Sequence, residues 1–241
     1  MSAGRRRLPA VPLILGLLAI LLFLGLGTWQ VKRRAWKLDL IARVEAHIHA
    51  APVPAPGPRT WRRIGRDDAY TRVFAHGRFF HDRETLVQAL TEQGAGYWVV
   101  TPLATDRGFL LLVNRGFVPE NRAIPASRAA GEVAGPVTVT GLLRVTEPGG
   151  SLLRANQPAA NRWFSRDVAA IARARGLGPV APYFVDADAT PNPGGLPVGG
   201  LTVISFPNNH LAYAITWYGM ALLTGWGLVR VLRTRRDEPE E

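Results

Sequence analysis

The chain has 241 residues, no cysteine, and 29 basic against 18 acidic residues, for a formal charge of +11. Without thiols, neither a disulfide framework nor a thiolate metal site is available. Nor is the charge a nucleic-acid signature: residues 1–7 and 32–37 concentrate seven basic groups, while residues 38–209 carry 18 basic and 14 acidic ones, too mild an excess for an electrostatic footprint.

In chain order, the first element is an apolar run. Leu8–Leu26 holds nineteen residues without a charge, close to the ~20 that cross a bilayer core. Arg5, Arg6 and Arg7 precede it, as in a signal peptide. The run is longer than the usual signal core, however, and no small-residue cleavage site follows it. Gly27-Thr28-Trp29-Gln30 and then Lys32, Arg33 and Arg34 come next, which predicts a retained transmembrane helix over 8–29. Trp36, Leu40, Ile41, Val44 and Ile48 continue a 3.6-residue stripe, so the helix is expected to run on until the proline-rich stretch 52–58 ends it.

Short strands follow. Tyr70–Phe80 and Thr85–Leu90 are extended, and Tyr97–Leu103 and Phe109–Asn114 flank the turn residues 104–108. Val137–Arg144 alternates, and Tyr183–Asp186 and Leu201–Phe206 are the last strands expected. One helix intervenes, capped by Ser165 or Asp167, faced by Val168, Ile171 and Ala172, and stopped at Gly176. The second apolar segment, residues 208–232, carries His210, Tyr213 and Trp217 in its first turns, on one helical face. The predicted architecture is therefore two transmembrane helices forming a hairpin around a mainly antiparallel α+β extramembrane domain, residues 30–207. Residues 1–7 and 233–241 lie together on the other side. Arg5–Arg7 and Arg230, Arg233, Arg235 and Arg236 favour the cytoplasm for both termini; Lys32, Arg33, Arg34 and Lys37 argue the opposite for the loop side, but long loops translocate largely regardless of charge.

Catalytic chemistry finds little support. His47 and His49 are about 200° apart on a helix, and His76 and His81 fall on opposite faces of a strand unless a bend intervenes. No nucleophile with its base, phosphate loop or H-E-x-x-H is present, so an enzyme is not expected. What remains is the mouth of the hairpin, where Trp29, Gln30, Arg33 and Trp36 would meet His210, Tyr213 and Trp217. An imidazole at the edge of a span is a functional-site candidate by default. Aromatic plates, one imidazole and nearby guanidiniums suit a haem, with His210 on the iron and arginines on the propionates. An interfacial belt of aromatic residues with snorkelling arginines accounts for the same residues, the position of His210 apart.

Several segments, in one order over residues 25–228, resemble the surfeit locus protein 1 family of cytochrome c oxidase assembly factors. They are Gly27-Thr28-Trp29-Gln30-Val31-Lys32-Arg33-Arg34-Ala35-Trp36-Lys37, Gly96-Tyr97-Trp98-Val99-Val100-Thr101-Pro102 and Leu112-Val113-Asn114-Arg115-Gly116-Phe117-Val118-Pro119. Asn156-Gln157-Pro158, Asn161-Arg162-Trp163, Asp167, Asn209-His210-Leu211-Ala212-Tyr213 and Thr216-Trp217-Tyr218-Gly219 complete the series. One departure is Gln88-Ala89-Leu90, where the family pattern leads us to expect a Pro-Arg pair. The resemblance implies a multi-pass protein of the bacterial inner membrane, with its large domain in the periplasm. It implies that the protein binds haem a and assists its insertion into oxidase subunit I, alongside other oxidase assembly factors. The family histidine matches His210 as iron ligand, with Trp29, Tyr213 and Trp217 around the haem and Arg33 or Arg34 on a propionate. The alternative is a cofactor-free scaffold for an oxidase subunit intermediate. The Asn114-Arg115-Gly116 and Asn161-Arg162-Trp163 segments read either as partner contacts or as turns.

Overall fold

The computed structural model describes residues 10–151, 153–202 and 208–234. These fall into two compact units, one built from the helical segments near the two ends and one spanning Val44–Ile204.

The first unit contains most of α1 (Ala10–His49) and all of α3 (His210–Thr234). Both are long and apolar enough to cross a membrane, with almost none of the apolar window buried in protein, so they indicate membrane association. As expected from the stripe beyond Trp36, α1 continues without a break to His49. Its less exposed positions before the loop end are Leu13, Gly16, Ala19, Ile20, Phe23, Leu26, Gly27 and Gln30, among which Leu13, Gly16, Ile20, Phe23, Gly27 and Gln30 alternate by three and four. That three-four alternation is the seam of a left-handed helix pair. On α3 a matching set among the less exposed positions is His210, Ala214, Trp217, Ala221, Thr224 and Leu228, with Ala214 and Ala221 buried. Small residues at such a seam let two backbones approach.

The second unit is strand-rich. Its strands are β1 (Val53–Pro54), β2 (Arg72–Phe79), β3 (Thr85–Thr91), β4 (Gly94–Thr105), β5 (Leu110–Pro119), β6 (Pro136–Val145) and β7 (Val180–Ala187), with one short helix, α2 (Val168–Ala174). They run in the order β1-β2-β6-β7-β5-β4-β3, and β2 also pairs with β4. That extra pairing closes β2, β6, β7, β5 and β4 into a five-stranded barrel, leaving β1 and β3 as appendages. Closure requires close backbone approach at Gly77, which lies opposite Thr105. A Cβ at Gly77 would sit 2.2 Å from the Ala104 carbonyl oxygen, so only glycine fits there.

The pairings are mainly antiparallel, as predicted, but β1–β2 and the longer β5–β7 pair are parallel. The expected strand at 201–206 is not formed at Leu201 and Thr202, and Val203–Phe206 lie outside the described residues. Alternate positions Val73, Ala75, Leu103, Leu111, Val113, Val139, Leu143, Tyr183 and Val185 form one buried cluster drawn from all five ring strands. Side chains alternate across a strand, so this cluster fills the barrel. Val100, Leu112 and Phe184 point the other way and pack under Val168 and Ile171 of α2, with Trp163 and Val87. The Asp167 carboxylate accepts from the Ala170 amide and caps α2. Gly176, at φ +58°, ends it.

Candidate functional site

Contacts between α1 and α3 pair early residues of one with late residues of the other. A Cβ at Gly16 would touch Leu228, and one at Gly225 would reach Ile20. Phe23 stacks on Trp217 with ring centroids 5.8 Å apart, and the Thr28 hydroxyl lies 3.1 Å from that of Tyr218. At the end of this series Nδ1–H of His210 donates to Oε1 of Gln30 at 2.7 Å.

That last contact has chemical content. Gln30 is only 9% exposed, and a buried amide without a partner costs roughly 1–3 kcal/mol. A glutamine carbonyl oxygen can only accept, so Nδ1, the ring nitrogen facing it, carries a proton. Nε2 of the same ring has no hydrogen-bond partner among the described residues. A neutral imidazole, oriented through one nitrogen and free at the other, is the usual form of a histidine metal ligand. His210, held at Nδ1 by Gln30 and unpaired at Nε2 among the described residues, is a residue that could hold a metal such as a haem iron.

The predicted site residues separate into two groups. His210 and Trp217 lie on the helix–helix seam, paired with Gln30 and Phe23. Trp29 and Tyr213, each 56% exposed, face away from the seam. Arg33 is exposed, its guanidinium 4.1 Å from the centroid of the Trp36 ring, while Arg34 is half-buried. Tyr213 departs from the seam because it neighbours Ala214, the position that packs. The hairpin reading of the sequence places Gln30 opposite His210 but gives it no role. A polar residue at heptad spacing from Phe23 and Gly27 was the signal that marks it.

The strand-rich unit holds its own polar centre. Asp186, 3% exposed, accepts from Asn114 Nδ2 at 2.8 Å and Arg166 Nη1 at 3.0 Å on one oxygen. Arg144 Nη1 at 2.8 Å and the Thr202 hydroxyl at 3.1 Å donate to the other. Arg166 also clamps Glu147 with two bonds, 2.7 and 3.1 Å. Burial alone would raise the Glu147 carboxyl, but the Arg166 hydrogen bonds and charge, with Arg144 behind, hold it below the usual range. Burial likewise works against the Arg166 cation, and Asp186 and Glu147 outweigh it, so its pKa is raised.

Of the two motif segments, Asn114-Arg115-Gly116 is not a turn and is not on the surface. It lies within β5, and the Arg115 side chain donates to the Gly131 carbonyl and to Asn192 Oδ1 over the Phe79 ring. Burial lowers the Arg115 pKa to about 10 against the opposing pull of Glu84. Asn161-Arg162-Trp163 does contain a turn: Asn161 is left-handed at φ +49°, and its Oδ1 accepts from Trp163 Nε1 and Arg175 Nη2. A bend does intervene between His76 and His81. His76 bonds the Thr138 hydroxyl, and His81, in the short helical turn after β2, bonds the Val133 carbonyl.

The model of the SURF1 family matches residues 17–222. The chain is 38% identical over 222 residues to the Surfeit locus protein 1 of Homo sapiens, covering 84% of this chain and 71% of that protein. It is 40% identical over 215 residues to the SURF1-like protein of Monosiga brevicollis, with 83% and 79% covered. The Surfeit locus protein 1 of Takifugu rubripes is 35% identical over 220 residues, with 84% and 89% covered.

Proposed function

The chain belongs to the SURF1 family, and from that premise we propose that it is an assembly factor for haem-copper cytochrome c oxidase. Its cargo is haem a, held by His210 and passed to oxidase subunit I, and no covalent bond is made or broken by the protein, which is therefore not an enzyme. The observation that carries this reading is the His210–Gln30 hydrogen bond, which leaves Nε2 available in a chain of this family.

The residues divide the work by chemistry. Nε2 of His210 would hold the iron, with Nδ1 kept by Gln30. Trp217, fixed against Phe23, supplies an aromatic wall beside it, and Trp29 and Tyr213 supply apolar surface on the outer faces of the two helices. Arg33 or Arg34 offers paired N–H donors to a propionate, the geometry in which a guanidinium excels. Haem a supplies the redox centre of the recipient enzyme; the protein supplies binding, orientation and release.

We place α1 and α3 as a transmembrane hairpin in the bacterial inner membrane, with the barrel in the periplasm and both termini in the cytoplasm. Support comes from the pairing of the two helices and from Arg230 and Arg233 at the end of α3. The remaining terminal arginines, Arg5–Arg7, Arg235 and Arg236, lie outside the described residues. Other oxidase assembly factors are the expected partners within that membrane.

Full-length protein purified in detergent after co-expression with haem a synthesis is expected to show a haem a spectrum. His210→Ala should lower haem occupancy at least tenfold, and an undiminished spectrum in that variant removes His210 as the ligand. A second reading, a scaffold without cofactor, draws on the exposure of Trp29 and Tyr213, which suits a partner helix. Colourless wild type that still co-purifies with an oxidase subunit would select it.

A further inference from the structure

We infer that Gln30 is the positioning residue for His210, fixing its tautomer and tuning its strength as an iron ligand; this rests on the haem-binding reading above. The ground is the 2.7 Å contact between His210 Nδ1 and Gln30 Oε1. Gln30 is on the α1 seam and His210 opens α3, so the bond links two segments far apart in the chain. The adjacent seam position, Gly27, is packed against the Tyr218 ring, where an added Cβ would lie 2.8–3.0 Å away. The two backbones are thereby held close enough for a glutamine to reach across. Neighbouring Thr28 and Tyr218 bond each other, a second polar link between the same two helices.

Two consequences follow from elementary ligand chemistry. An acceptor on Nδ1–H keeps the proton there and leaves Nε2 unprotonated, which removes a tautomeric competition from iron binding. It also draws the N–H bond toward the acceptor, which makes the opposite nitrogen a stronger donor. A stronger donor favours ferric over ferrous iron. A carboxylate in the same place would strengthen both effects, and an apolar side chain of similar size would remove them.

The test uses the full-length protein in detergent, titrated with haem a, comparing wild type, His210→Ala, Gln30→Leu and Gln30→Glu. Readouts are haem affinity and the midpoint potential of the bound haem. Loss of an outer-shell partner of this kind costs 10–100-fold in metal affinity, and Gln30→Leu is expected to lose roughly that. Its residual bound haem should shift to higher potential, while Gln30→Glu should shift to lower potential than wild type. Opposite shifts from two substitutions at one seam position are not produced by disturbed helix packing, which weakens binding in both variants alike. If Gln30→Leu binds too little haem to measure, the downward shift in Gln30→Glu alone supports the inference. Unchanged affinity and potential in both variants, or shifts of the same sign, overturns it while leaving His210 as ligand. Wild type that takes up no haem a overturns the haem reading and this inference together.

Discussion

Asp186 shows how a single side chain organises the polar interior of the strand-rich unit. Its two oxygens accept from Asn114, Arg166, Arg144 and Thr202, side chains contributed by β5, the segment before α2, β6 and the segment after β7. Removing a buried carboxylate leaves two guanidiniums without their main counter-charge, at a cost of about 3–5 kcal/mol. Asp186→Ala should therefore lower the urea midpoint of the strand-rich unit, followed by tryptophan fluorescence, by an amount equivalent to about 3 kcal/mol. A change within 0.5 kcal/mol, the scale of ordinary surface substitutions at about ±0.5 kcal/mol, would show that the arginines are already satisfied by solvent and Glu147. This centre was not legible beforehand. Asp186 stood in the sequence as the last residue of a predicted strand, and nothing local indicates that Arg144 and Arg166 would converge on it. The same holds for Arg115, whose partners Gly131 and Asn192 come from distant loops.

Among the elements, the helix pair was the most readable and the barrel the least. Length, lack of charge and the stripe past Trp36 identify α1, and the apolar run from Asn208 identifies α3, because helical periodicity is a local property. What periodicity could not give was which face of each helix packs: Tyr213 shares the predicted face with His210, yet Ala214 takes the seam. Small residues decide that, and Gly27 is the clearest case. Gly27→Leu is expected to push Tyr218 away and part the helices at their loop end. Because the native chain lacks cysteine, Ile20→Cys with Gly225→Cys gives a clean reporter. A short bifunctional maleimide should link the pair efficiently in the parent and several-fold less when Gly27→Leu is added; equal yields would mean that Tyr218 simply rotates aside. β2 to β7 fall within a few residues of their expected places, whereas β1 was not expected and Leu201 and Thr202 form no strand; β5 extends to Pro119, five residues beyond the expected end. Its Leu111–Val118 stretch is buried throughout, so neither face shows the alternation by which a half-exposed strand is recognised.

At the scale of the whole molecule, the sequence conveys a membrane pair and a mainly antiparallel strand-rich unit but not ring closure. Closure depends on β2 meeting β4 and on β5 meeting β7 in parallel, pairings that leave no trace in local pattern. Charge contributes at this scale too. Glu147, held below the ordinary carboxyl pKa by Arg166, stabilises the folded unit above its unfolded pKa of about 4.3, and that contribution is lost as pH falls through the lower folded value. The thermal midpoint of the strand-rich unit should thus fall from about pH 5 toward pH 3, and Glu147→Gln should flatten part of that slope. Identical slopes would assign acid sensitivity to other carboxyls; the 34% exposure of the Glu147 side chain keeps the expected difference modest. The closed ring also bears on how this chain is made. β2 has its main neighbour in β6, and β5 has one of its two in β7, so no subset of strands from the first half of the domain can shut the barrel. Such pairings must wait for long loops to close. During biosynthesis, α1 is complete while β2 to β5 still lack β7, and the nascent segment stays open, with unpaired strand edges, until Val180–Ala187 has been synthesised. A ribosome stalled before that point would leave a membrane-tethered chain open to proteases, whereas one stalled just after it would leave a barrel able to shut.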